Sequence, residues 1–159
     1  MIVDATPLFR QGIRAVLLHT GKYTIVGEAR DPPEALALAR AEQPDVVLLS
    51  GQLPDARTLT WQLRQLIPTI GILVFAASPD EEQLFQFIKA GASAYEPPTI
   101  TGEVLTEKVS QVGCGNYLIT SDVLLAPSSQ AIMSMVTDRK GAGGKLTEGW
   151  TDFALKGGN

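Results

Sequence analysis

Two stretches, Pro44-Asp-Val-Val-Leu-Leu-Ser-Gly51 and Ile70-Gly-Ile-Leu-Val-Phe-Ala76, decide the fold. Val46–Leu49 and the run that starts at Ile70 are continuously apolar, too short for helices and free of the polar alternation of a half-solvated strand. Such runs suit strands buried on both faces, which belong to parallel sheets wrapped by helices. Each is followed by turn residues and then by a segment with helical spacing.

Working outward, the same alternation holds. Met1–Asp4 reads as a short strand ending in an acid. Thr6 and Pro7 then open a helix, with Thr6 as cap and Leu8, Ile13, Val16 and Leu17 as its apolar face; Gly21 stops it. Residues 23–26 are rich in strand formers. Asp31-Pro-Pro-Glu34 is a capping box with prolines in the first turn, launching a helix that Pro44 ends. The polar segment 52–65 predicts only a weak helix around 58–66. Ser78-Pro-Asp-Glu81 is a second capping box, opening a helix over 80–90 that carries Leu84, Phe85, Phe87 and Ile88. A short strand over 92–95, a rigid Pro97-Pro98 turn and a helix over 103–112 complete five βα units. The right-handed crossover rule then favours an α/β, flavodoxin-like (CheY-like) doubly wound sheet of five parallel strands in order 2-1-3-4-5.

This domain is expected to span residues 1–125, with 126–159 as linker, short helix and tail. Residues 127–136 carry Ile132, Met135 and Val136 at helical spacing, and the chain from Asp138 is rich in Gly and Lys. An apolar fraction of 45% supports a real core, and a net charge of −4 without a Lys or Arg run argues against a nucleic-acid surface. Cys114 is the single cysteine, so an intramolecular disulfide is excluded and a reducing, cytoplasmic setting is expected. No apolar stretch approaches the roughly 20 residues of a membrane span, and MIVDATPLFR lacks the pattern of a secretory signal.

Ligands of such sheets bind at the carboxyl ends of the strands. There the sequence places Asp4 and Ala5, then Ser50, then Ala76, then Pro98. These positions lie in VDATPLFRQGIRAVL (3–17), IVGEARDPPEALALA (25–39), PDVVLLSGQLP (44–54), ILVFAASPDEE (72–82) and KAGASAYEPP (89–98). Taken in order, the motifs resemble the receiver domain of two-component response regulators, nearest the subgroup with LuxR/NarL-type output domains. The resemblance implies a pair of acids after the first strand, where this chain has Asp4 and Ala5. It implies a phosphoacceptor aspartate at Ser50, a phosphate-binding Ser or Thr at Ala76 and a phosphate-pairing Lys at Pro98. Tyr95 corresponds to the switch aromatic, or is simply a Tyr at the edge of the core.

Phosphoryl transfer is mostly positioning and charge neutralisation, and Mg²⁺ wants oxygen ligands with one or two carboxylates among them. With Asp4 alone, no metal site, no cofactor and no catalytic residue are expected. The reading is therefore a degenerate pseudo-receiver, not an enzyme. It would act in signal transduction or transcriptional regulation through phosphorylation-independent contact with a protein partner or a second copy as a homodimer. The alternative is small-molecule sensing in the vacated pocket. An output DNA-binding domain would lie in a longer gene product, with no direct nucleic-acid or membrane binding by this chain. The LTEGWTDFALKGGN end is too short and irregular to be such a domain. Phe85, Phe87 and Trp61 are the candidate interface residues, Phe85 and Trp61 with an intramolecular packing role as the alternative. His19 near a helix end and Cys114, which has no basic cluster around it, read as inert.

Overall fold

The structure is a computed structural model and describes residues 1–77 and 81–118. The capping box at Ser78 and the reading of 119–159 lie outside the described residues. In chain order the elements are β1 (Ile2–Val3), α1 (Pro7–His19), β2 (Glu28–Ala29), α2 (Pro32–Glu42) and β3 (Val46–Ser50). They continue with α3 (Ala56–Leu66), β4 (Gly71–Phe75), α4 (Glu81–Ala90), β5 (Ala94–Glu96) and α5 (Gly102–Gly113). The strands form one parallel sheet in the order β2-β1-β3-β4-β5, as expected.

Period-two alternation along β3 and β4 builds two cores. Val3, Val47, Leu49, Ile72 and Val74 face one side, where Ala35 and Ala39 of α2, Leu59 and Leu63 of α3 and Phe87 of α4 cover them. Ile2, Leu48, Leu73 and Phe75 face the other, covered by Ile13 and Leu17 of α1 and by Leu105, Val109 and Val112 of α5. This is why both runs are apolar without interruption. At Gly71 the layers approach so closely that a Cβ would lie 2.5 Å from Val112 Cγ1 and 2.8 Å from the Val112 carbonyl oxygen.

Asp31 caps α2 as expected: its Oδ1 accepts the Glu34 amide at 2.9 Å. The Glu34 carboxylate reaches back to the amide of Arg30, one residue earlier than in a strict capping box. Four expectations need correction. The second strand is Glu28–Ala29 rather than 23–26, because pairing with β1 sets its position: Ile2 pairs with Glu28 and Val3 with Ala29. Thr6 caps α1 in position only. Its side chain makes no cap bond, and its amide is instead taken by Asp4. Leu8 leaves the apolar face and is 77% exposed, while Phe9 turns inward to stack edge-on against Phe75 at 5.4 Å. The third helix is a full eleven residues with Ala56, Leu59, Thr60 and Leu63 buried, so its polar composition reflects a wide solvent face rather than a weak helix.

Candidate functional site: a strand-end cleft without phosphate-binding side chains

Sheet register assembles the cleft. Val3 pairs with Leu49, so Asp4 and Ser50 follow side by side at the carboxyl edge. Ser50 pairs with Phe75, and Phe75 with Glu96, so Ala76 leaves the sheet next to them. The Ala76 amide donates to the Glu96 carbonyl at 3.0 Å, and the Gly51 amide to the Phe75 carbonyl at 2.7 Å, which holds the three strand ends together. Ala5 is exposed, Ser50 half-buried and Ala76 buried. Pro98 lies on the exposed turn after β5. The sequence-derived site residues thus do gather at one edge of the sheet.

The buried Asp4 is already engaged. Its Oδ1 accepts the Thr6 amide at 2.6 Å. Its main-chain oxygen accepts from Arg10 Nη1 at 2.6 Å, and Arg10 Nε pairs with the Glu28 carboxylate at 3.2 Å. Arg14 joins the same carboxylate at 3.3 Å. The Arg10 guanidinium beside the cleft went unrecognised in the sequence. Its signal was a cation in the opening turns of a helix, where the dipole disfavours it. No three His, Cys, Asp or Glu side chains come together as a metal-binding group among the described residues.

A second charged feature borders the cleft and was also missed. Glu96, at the end of β5, is 4% exposed and pairs with Lys108 Nζ of α5. A buried carboxylate without a cation would carry a large desolvation cost, so Lys108 neutralises it. The available signal was an acid next to the last strand and a lysine three residues after the buried Leu105. Beside Pro98 runs an apolar groove of about 370 Å³ whose lining includes Leu8, Phe9, Phe75, Ile100 and Leu105.

The candidate interface residues separate. Phe87 is buried in the core at 3% exposure and stacks on Tyr95 with ring centroids 5.8 Å apart, so it is not a surface residue. Phe85 is half-buried and packs against a cluster of Leu84, Ile88 and Tyr117, which gives it an intramolecular role. Trp61 is 53% exposed on α3. Tyr95 is half-buried and packs against both that cluster and the core. His19 and Cys114 are exposed.

Residues 1–110 match the response regulator receiver domain. The chain belongs to this receiver family. Among relatives, it is 32% identical over 120 residues to the DNA-binding transcriptional activator DevR/DosR of Mycobacterium tuberculosis, covering 74% of this chain and 55% of that one. It is 27% identical over 135 residues to the nitrate/nitrite response regulator NarL of Escherichia coli, covering 82% and 62%. This receiver therefore spans little more than half the length of the curated relatives it matches. Among solved structures, a two-component response regulator of the LuxR family from Aurantimonas superposes with a TM-score of 0.71 at 27% identity, covering 86% of this chain and 96% of that one. The signal receiver domain of the NarL regulator from Mycobacterium tuberculosis superposes with 0.69 at 28% identity, covering 72% and 94%. No helix among the described residues is long and apolar enough to cross a membrane.

Proposed function

We propose that this chain is a pseudo-receiver, a response-regulator module that works by protein–protein contact without forming an acyl phosphate. The observation that carries the reading is the cleft itself. Ala5, Ser50, Ala76 and Pro98 offer no carboxylate, no phosphate-binding hydroxyl at the fourth strand and no ammonium, and the remaining Asp4 Oδ1 is held by the Thr6 amide. Mg²⁺ is reluctant to lose water and needs more than one such ligand, and a Ser hydroxyl needs a base to become a nucleophile. A receiver so altered serves signalling or transcriptional control through a partner protein or a second copy. The longer relative DevR/DosR, named as a DNA-binding transcriptional activator, supports an output DNA-binding domain elsewhere in the gene product. The setting would be the cytoplasm.

Incubation with acetyl phosphate and Mg²⁺, followed by intact-mass analysis, tests the reading. The expected result is no phosphoryl increment, and a stoichiometric, hydroxylamine-labile adduct would overturn it. The groove beside Pro98 favours a second reading, since its volume and apolar lining suit a small apolar ligand. A metabolite screen by thermal shift separates the two, because a ligand that binds only the folded state raises the midpoint.

A further inference from the structure

A second opening lies at the amino ends of the strands, away from the cleft. Residues 23–26 have the composition of a strand, but no strand pairs with them among the described residues. Their side chains hold them in place. Tyr23 and Ile25 pack against the core under α1 and α5, Val26 packs against the other core, and the Tyr23 hydroxyl donates to the Thr106 carbonyl at 2.9 Å. Their main chain is left open: none of the N–H or C=O groups of 23–26 is hydrogen-bonded among the described residues. β3 presents a matching edge. The Leu48 amide donates to Met1 O at 3.0 Å and the Met1 amine to Val46 O at 2.9 Å, so ladder bonds with β3 run back as far as Met1. In an extended strand the N–H and C=O of one residue point the same way. The Val46 N–H therefore points into the same opening, and neither it nor the Pro44 carbonyl has a partner among the described residues. Between the two edges lies a cavity of about 370 Å³.

Backbone groups left open on two facing edges match what a strand inserted between them offers. We propose that this slot captures the carboxyl-terminal end of an extended, apolar peptide from a partner protein, as a parallel strand between residues 23–26 and β3. Continuation of the β1–β3 ladder sets the parallel direction. Met1 fills the next ladder position, so a strand entering from a partner ends there. Its terminal carboxylate then meets the Met1 ammonium, which burial lowers to about 6 and the Asp45 carboxylate only partly counters. A peptide carboxylate supplies the remaining counter-charge. Leu17, Leu48 and Val109 line the slot and suit apolar side chains, while Lys22 offsets Glu42 and Asp45 elsewhere in the lining. At about 3.3 Å per residue, a slot flanked by residues 23–26 takes about four residues. The inference goes beyond the pseudo-receiver reading. It depends on the amino ends of the strands and stands whether or not the cleft accepts phosphate.

The probe is the peptide Lys-Lys-Val-Ile-Val-Val, labelled at its amino end and with a free carboxylate, titrated into the full 159-residue chain. We expect saturable binding, and at saturation hydrogen exchange of the Val46 amide slowed at least about tenfold. The same peptide ended as a carboxamide should bind at least about tenfold more weakly. A chain with Val-Ile-Val-Val joined ahead of Met1 should no longer bind the probe, because its own residues take the slot. No binding at about 1 mM probe, or binding without slower exchange at Val46, would overturn the slot as a peptide site. Equal affinity of acid and carboxamide would overturn the carboxyl-terminal end as its occupant, and so would retained binding by the extended chain. Val46 protection in the free chain that rises with protein concentration would assign the slot to a second copy and overturn the partner peptide.

Discussion

Ser50→Asp restores the acceptor carboxylate that the family motif implies, and the structure predicts that it destabilises the domain. Asp4 and Ser50 follow paired residues on neighbouring strands, whose spacing is about 4.8 Å. Two carboxylates there would sit roughly 5 Å apart. Their repulsion is about 3 kcal/mol at an effective dielectric of about 20. Ser50 is half-buried, so solvent screening reduces this to about 1–2 kcal/mol. The Asp4 carboxylate cannot turn away without releasing the Thr6 amide, and Pro98 supplies no ammonium to offset the added charge. A loss of this size lowers the melting midpoint by roughly 4–10 °C in a domain of this length. The assay is thermal unfolding of wild type and variant at neutral pH in low salt, with a pH series as internal control. Repulsion raises the introduced carboxylate above its ordinary value of about 3.9, so the deficit should shrink as the pH falls from about 5 to about 4 and be absent below that. The variant should also stay inert to acetyl phosphate, because Ala5, Ala76 and Pro98 are unchanged. A melting temperature above that of wild type at neutral pH, without divalent cations, would refute the reasoning.

Lys108→Met should cost about 3–5 kcal/mol by stranding the buried Glu96, whereas the double variant Glu96→Leu/Lys108→Met should recover most of that; equal losses in urea unfolding would contradict it. Phe87→Ala should lose about 3–5 kcal/mol as a core cavity, against no more than about 0.5 kcal/mol for the exposed Trp61→Ala, and similar losses would overturn the assignment of the two aromatics. Burial lowers the Met1 ammonium to about 6, only partly countered by the Asp45 carboxylate. Its unfolded value is about 8, so the unfolded state binds more protons between these limits. Stability should therefore rise on going from pH 6 to pH 8, by on the order of 2 kcal/mol, and an added residue ahead of Met1 should flatten that slope.

Local chemistry was legible in the chain itself. Val46–Leu49 and the run from Ile70 announced strands covered on both faces, because a residue sequence without alternation has no solvent side. Asp31 and Glu34 announced a helix start, because capping bonds form within four residues. Handedness then limited the strand order, and the motif order located Asp4, Ala5, Ser50, Ala76 and Pro98 at one edge. What tertiary structure decided rests on contacts between distant residues, whose partners no local pattern names. Glu28–Ala29, not residues 23–26, became the second strand because β1 offers its pairing positions there. Leu8 and Phe9 are both large and apolar, but only Phe9 meets Phe75. Phe87 entered the core while Phe85 met Tyr117, which the turn at Gly115 brings back across α4. Glu96 found Lys108 and Arg10 found both Asp4 and Glu28 only after the strands and helices had docked. Burial and charge pairing are properties of that docked arrangement, and only the folded chain supplies it.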